Sequence, residues 1–145
     1  QGLLNSTSGV VMTLNGNTTN TSLTVNTPTI VNTGGGAVLQ SSVRYTVSTA
    51  GRCTYTGTKQ AYVSLHASIS YDKQGGGSDD YVFYFYKNGV QLAGSQTLVD
   101  AQKNSAISLV YGVLMVQNDY IEIYVENTSS NDNMRVTDWQ VVIRE

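Results

Sequence analysis

The chain has 145 residues, enough for one domain with a core of its own. Charged residues make up 12% of it, about half the share of an average soluble domain, and the net charge is −2. That balance excludes the basic footprint of a nucleic-acid binder, and the short, broken apolar runs exclude a membrane-spanning helix. Ser, Thr, Gly and Asn together fill 58 positions, a vocabulary of strands and turns rather than helices. Cys53 is the one cysteine, so no intrachain disulfide can form. It reads as a small buried residue.

From Gln1 to Val43 the chain carries no charge, and Arg44 is the first. Leu14-Asn15-Gly16-Asn17 and Thr33-Gly34-Gly35-Gly36 are turn signals. Between them Ser22-Leu23-Thr24-Val25-Asn26 alternates polar and apolar as a strand does, and Pro28 caps or edges it. Residues 1–36 are therefore set apart as an uncharged, extended N-terminal arm or linker, with a head domain over 37–145. The arm either docks on the domain, a neighbouring subunit or a larger particle, or is a flexible polar linker.

From Val38 the strand signals become regular. Val43, Tyr45 and Val47 alternate with polar residues, and Gly51 marks a turn. Val63, Leu65, Ala67 and Ile69 alternate with Ser64, His66, Ser68 and Ser70, which predicts one core face and one wet face. Gly75-Gly76-Gly77 with Asp79 and Asp80 is a loop. Tyr81 to Tyr86 is aromatic or apolar on both faces, and Asn88-Gly89 is a strong hairpin signal. Ile107 to Val113, Ile121 to Val125 and Met134 to Ile143 complete the strands, with Trp139, Val141 and Ile143 on one face. No segment shows a sustained helical period. The expectation is an all-β, antiparallel jelly-roll β-sandwich.

Several of these segments together resemble a known family. Tyr55-Thr56-Gly57, the strand Tyr62–Tyr71 and the run Tyr81-Val82-Phe83-Tyr84-Phe85-Tyr86-Lys87-Asn88-Gly89 are similar to the central strands of the complement-head and tumour-necrosis-factor-like jelly roll. Asn118-Asp119-Tyr120-Ile121-Glu122-Ile123-Tyr124-Val125-Glu126-Asn127 resembles its penultimate strand, and Trp139–Ile143 its closing one. The variant most resembles versions found in bacteriophage and other viral fibre, spike or head-decoration proteins. The resemblance spans about residues 40–145. It implies a homotrimer around a threefold axis and partners bound through exposed loops.

Catalytic chemistry finds little support. His66 lies on a polar strand face beside Ser64 and Ser68, with no acid to orient it, and no catalytic residue, metal or cofactor is expected. Asp72, Asp79 and Asp80 around Gly75–Gly77 form a candidate ligand loop. Their spacing does not match the twelve-residue calcium loop, and a solvated loop or turn is the plainer reading, as for Asn131-Asp132-Asn133. The triple glycines lack the strand–glycine–helix setting of a phosphate loop. Asn5, Asn17, Asn20 and Asn127 sit in glycosylation sequons that a Thr-rich chain produces by chance.

Tyrosine supplies ten of the thirteen aromatic residues. Tyr62, Tyr84, Tyr86, Tyr120 and Tyr124 are candidates for a non-core face, where they serve sheet packing, a subunit seam or a sugar-stacking platform. With the threefold implied by the resemblance, Tyr84, Tyr86, Tyr120 and Tyr124 are the trimer-interface candidates. The sequence thus reads as a non-enzymatic virion structural protein: the trimeric head of a fibre, spike or capsid decoration, on the virion surface or otherwise extracellular. It would meet other virion proteins through the arm and a cell-surface glycan or receptor through the head. The alternative is a carbohydrate- or receptor-binding adhesin domain of a virus or bacterium.

Overall fold

The computed structural model describes residues 7–101 and 104–145. In chain order the strands are β1 (Gly9–Leu14), β2 (Thr29–Ile30), β3 (Val38–Val43), β4 (Tyr45–Val47), β5 (Cys53–Tyr55), β6 (Ala61–Lys73), β7 (Asp79–Lys87), β8 (Val90–Gln91), β9 (Thr97–Ala101), β10 (Ser105–Met115), β11 (Tyr120–Asn127) and β12 (Met134–Arg144). They form two sheets. The front sheet runs β10-β6-β12-β1-β3, and the back sheet runs β4-β5-β11-β7-β8, with β2 also on β11 and β9 on β7. Every named strand pair is antiparallel. The protein is thus an all-β jelly-roll sandwich, as the alternation predicts.

The period of two sorts the side chains. In β6, Val63, Leu65, Ala67, Ile69 and Tyr71 point into the core while Ser64, His66 and Ser68 face solvent. Trp139, Val141 and Ile143 of β12 join them from the front sheet, and Tyr81, Phe83 and Phe85 of β7 from the back. Turn chemistry fixes the ends. Asn88 and Gly89 both hold positive φ, which the two-residue hairpin between β7 and β8 requires. Gly51, at φ +94°, lies under Trp139, where a Cβ would sit 2.9 Å from the indole.

Three local expectations change. The run Val43–Val47 is not one strand, because Arg44 takes φ +62° and the chain leaves the front sheet there to enter the back one. Ser22–Asn26 is not a strand. Its backbone is held instead by side chains: the Leu23 N–H donates to Asn133 Oδ1 at 2.9 Å and the Val25 N–H to Asn131 Oδ1 at 2.7 Å. Nor does residue 36 mark a boundary. β1 lies between β12 and β3, and Val10, Met12, Leu14, Leu23 and Val31 are part of the core. Residues 1–6 lie outside the described residues.

Candidate functional site

The Gly75–Gly77 loop is organised by a lysine. Lys73, at the end of β6, points its Nζ to Asp79 Oδ2 at 2.8 Å and Asp132 Oδ2 at 3.6 Å. It also donates to the carbonyls of Gly75 at 3.2 Å and Gly76 at 3.1 Å. The side chains of Lys73 and Asp79 are 2% and 3% exposed. Burial pushes the Asp79 carboxyl up, but Lys73, the Ser130 hydroxyl and Asn127 outweigh it and hold the group below its ordinary value. Ser130 Oγ donates to Asp79 Oδ1 at 2.7 Å.

The four oxygens around the ammonium are the kind that would surround a hard cation, and Lys73 already fills the place. Of the three expected ligands, only Asp79 belongs to this cluster. Asp80 points to the opposite side of β7, in register with Asp100, and Asp72 lies opposite Arg135 on β12. Among the described residues no group of three His, Cys, Asp or Glu is placed to hold a metal ion. Lys73 is the residue that sequence reasoning missed, and Asp132 reads in the sequence only as part of a turn. The available signal was a single lysine between Asp72 and the glycines.

The four tyrosines lie on the outer face of the back sheet, because Ile121, Ile123 and Val125 turn inward. Tyr84, Tyr86, Val82 and Tyr124 form one cluster. The Tyr86 and Tyr124 rings stack with centroids 3.6 Å apart and planes at 8°, and Tyr84 meets Tyr86 edge to face at 6.2 Å. The Tyr84 hydroxyl donates to Glu126 Oε1 at 3.0 Å and that of Tyr86 to Gln91 Oε1 at 3.3 Å. Burial and that bond to Glu126 push the Tyr84 hydroxyl up to about 12. Tyr120 lies apart, with the Arg52 guanidinium 3.8 Å over its ring, and Arg52 Nε also reaches Glu122 Oε2 at 3.2 Å. The chain thus covers these rings itself, leaving Tyr84 at 6% and Tyr86 at 9% exposure.

The outer face of the front sheet is different. One register row crosses it: Val110 on β10, His66 on β6, Val142 on β12, Val11 on β1 and Ser41 on β3. The row beside it is Ser108, Ser68, Gln140 and Thr13. Neither row contains an acidic or basic residue apart from His66. Tyr62, at 73% exposure, and Val110, at 61%, stand out from this face into solvent.

Cys53 is buried beside Met12, with the two sulfurs 3.9 Å apart, and burial pushes its thiol up to about 12. Such a group is a packing residue at neutral pH. The sequon asparagines that can be described are structural. Asn17 Nδ2 donates to the carbonyls of Thr19, Asn32 and Val136, Asn20 Oδ1 accepts from Arg135, and Asn127 is fully buried. Asn5 lies outside the described residues. A groove of about 340 Å³ at the start of β1 is lined by Ser8, Val10, Ser42, Val43, Ile143 and Arg144, among others. Among the described residues no helix is long and apolar enough to cross a membrane.

Comparison with known proteins agrees with this architecture. No protein-family model matches the chain, and no curated protein matches it in sequence. Among solved structures it is similar to murine APRIL at pH 5.0, with a TM-score of 0.60 and 9% identity over 97% of this chain and 100% of the other. It is similar to the Eiger TNF of S. frugiperda, with a TM-score of 0.55 and 11% identity over 95% and 93% of the two chains. It is also similar to the PRD1 vertex protein P5, at 0.54 and 15% identity over 95% and 96%. The fold is the tumour-necrosis-factor-like jelly roll.

Proposed function

We propose, with that jelly roll as the premise, that the protein is a non-enzymatic structural head that assembles as a homotrimer on a virion fibre, spike or capsid decoration. It would thus work at a virion surface, meeting other virion proteins. The observation that carries this reading is the outer face of the front sheet. Val110, Tyr62, Val142 and Val11 leave apolar surface there, and the two central rows carry hydroxyls and one imidazole but no full charge. Such a face is suited to burial against another protein surface. A closed ring of identical subunits covers it without leaving an open end. The threefold order comes from the resemblance of residues 40–145.

The seam is placed on this face rather than on Tyr84, Tyr86, Tyr120 and Tyr124. Tyr84 and Tyr86, packed at 6% and 9% exposure, have little area left to bury, and the part-exposed Tyr120 and Tyr124 already carry Arg52 and the Tyr86 ring. An obligate seam would bury about 2,000 Å² or more in total. The non-enzymatic part is supported by the surroundings of His66, whose register neighbours are two valines rather than an acid and a nucleophile. The test is the mass of the particle in solution by light scattering. Three times 15.6 kDa is expected at micromolar concentration, and a particle of 15.6 kDa would overturn the reading.

A further inference from the structure

A titratable group, His66, lies at the centre of the proposed seam, and the role inferred for it rests on that seam. His66 stands exposed on β6 with Ser64 and Ser68 beside it on the same face. Facing it from β10 are Ser108, Val110 and Gly112, and from β12 Gln140, Val142 and Arg144. None of these is a carboxylate, and the single charge among them is the cation of Arg144.

We propose that His66 gates assembly by pH: the seam closes while the imidazole is neutral and opens when it gains a proton. In the separate subunit the protonated ring faces water, which solvates it. In the closed seam it would lie between Val110 and Val142 with no counter-ion among its neighbours on the sheet, since Asp138 stands farther along, in register with Ser70, and Asp72 opposite Arg135. Removing an unpaired charge from water carries a heavy penalty. A threefold axis repeats that penalty in each subunit, and Arg144 adds repulsion. Imidazole is the side chain that ordinarily changes charge under mild acidity, while hydroxyls and amides do not respond. Valine, serine, threonine and glutamine fill the rest of the central rows, so His66 alone there converts a neutral face into a cationic one.

Sedimentation of the full chain over a concentration series, at about pH 8 and about pH 5, tests this against His66→Asn. The wild type is expected to need at least about tenfold more protein to assemble at the lower pH. The asparagine variant should assemble alike at both. His66→Lys, charged throughout, should remain dissociated at the higher pH. Near-ultraviolet circular dichroism at both pH values confirms that the subunits themselves stay folded. Equal assembly of the wild type at both values overturns the gate and leaves the seam standing. An acid shift that persists in His66→Asn overturns it too, by assigning the effect to carboxylates. Monomers at the higher pH, in wild type and asparagine variant alike, overturn the seam and the gate together.

Discussion

At Lys73 a single side chain holds two loops together. Its ammonium ties the Gly75–Gly76 carbonyls of one loop to Asp79 and Asp132, and Asp132 belongs to the other. Lys73→Met keeps most of the aliphatic stem and removes the charge, leaving the buried Asp79 carboxylate without its cation. A loss of about 3–5 kcal/mol in urea unfolding is expected. The pH dependence has a definite sign. The folded-state value of Asp79 is lowered, so its contribution is present above the unfolded carboxylate range and is lost as pH falls through the folded value. Asp119 has a lowered value as well and adds in the same direction, since the Val116 N–H, Asn88 and Lys87 outweigh its burial. In Lys73→Met only Ser130 and Asn127 remain to offset the burial of Asp79, so the acid unfolding midpoint should move to higher pH. An unchanged midpoint, measured by circular dichroism during acid titration, would show that the ammonium does not set the acid limb.

Among the elements, β1 bears most directly on how the chain is divided. It hydrogen-bonds to β12 on one side and β3 on the other, so its removal would split the front sheet and expose the core beneath Val10, Met12 and Leu14. Deletion of residues 1–14 is expected to abolish the cooperative thermal transition seen by circular dichroism. A truncated head that still melts cooperatively would show that β3 can move over to β12. The sequence concealed this strand because Gly9–Leu14 is apolar at nearly every position, and Thr13 alone is too little polar alternation to reveal its period. Ser22–Asn26 misled in the opposite way. Leu23 is buried and the segment alternates, yet its N–H groups bond to Asn131 and Asn133 side chains, which no local pattern announces. Arg44 likewise gave no sign that a non-glycine residue would take positive φ and carry the chain between sheets. Where one face is wet and one buried, as in β6 and β12, alternation was sufficient to place the strands. The site was less legible, because Lys73 and Asp132 meet across 59 positions of sequence, and the row from Val110 to Ser41 draws one residue from each of five strands.

For the whole molecule, the two outer faces differ in what they leave unfinished. On the back face the tyrosines are covered by stacking and by Arg52 over Tyr120, and Leu98 of β9, in register with Val82, stands exposed, whereas the front face leaves Val110 and Tyr62 in water. A charge placed on the front face should therefore act on association rather than on folding. Val110→Lys is expected to give monomers by light scattering with a melting temperature close to that of an unassembled wild-type subunit. Tyr84→Lys, introducing a cation into a packed cluster, should instead destabilise the subunit by about 2 kcal/mol or more. Dissociation by the Tyr84 change with no loss of subunit stability would move the seam to the back sheet.

Ser8 and Glu145 meet at one corner of the front sheet, 137 positions apart in sequence, through the Ser8 N–H and hydroxyl on Glu145 Oε1 at 2.9 Å each. The β1–β12 ladder must therefore close almost the entire chain into a loop before its contacts contribute, and such pairings are slow to form. A circular permutant that links Glu145 to Thr7 and opens the chain in the turn at Gly35 would turn that ladder into a hairpin without altering a single sheet contact. Stopped-flow refolding should be faster in the permutant while its unfolding rate changes little. Equal refolding rates would mean that β1 docks only after the rate-limiting barrier has been crossed.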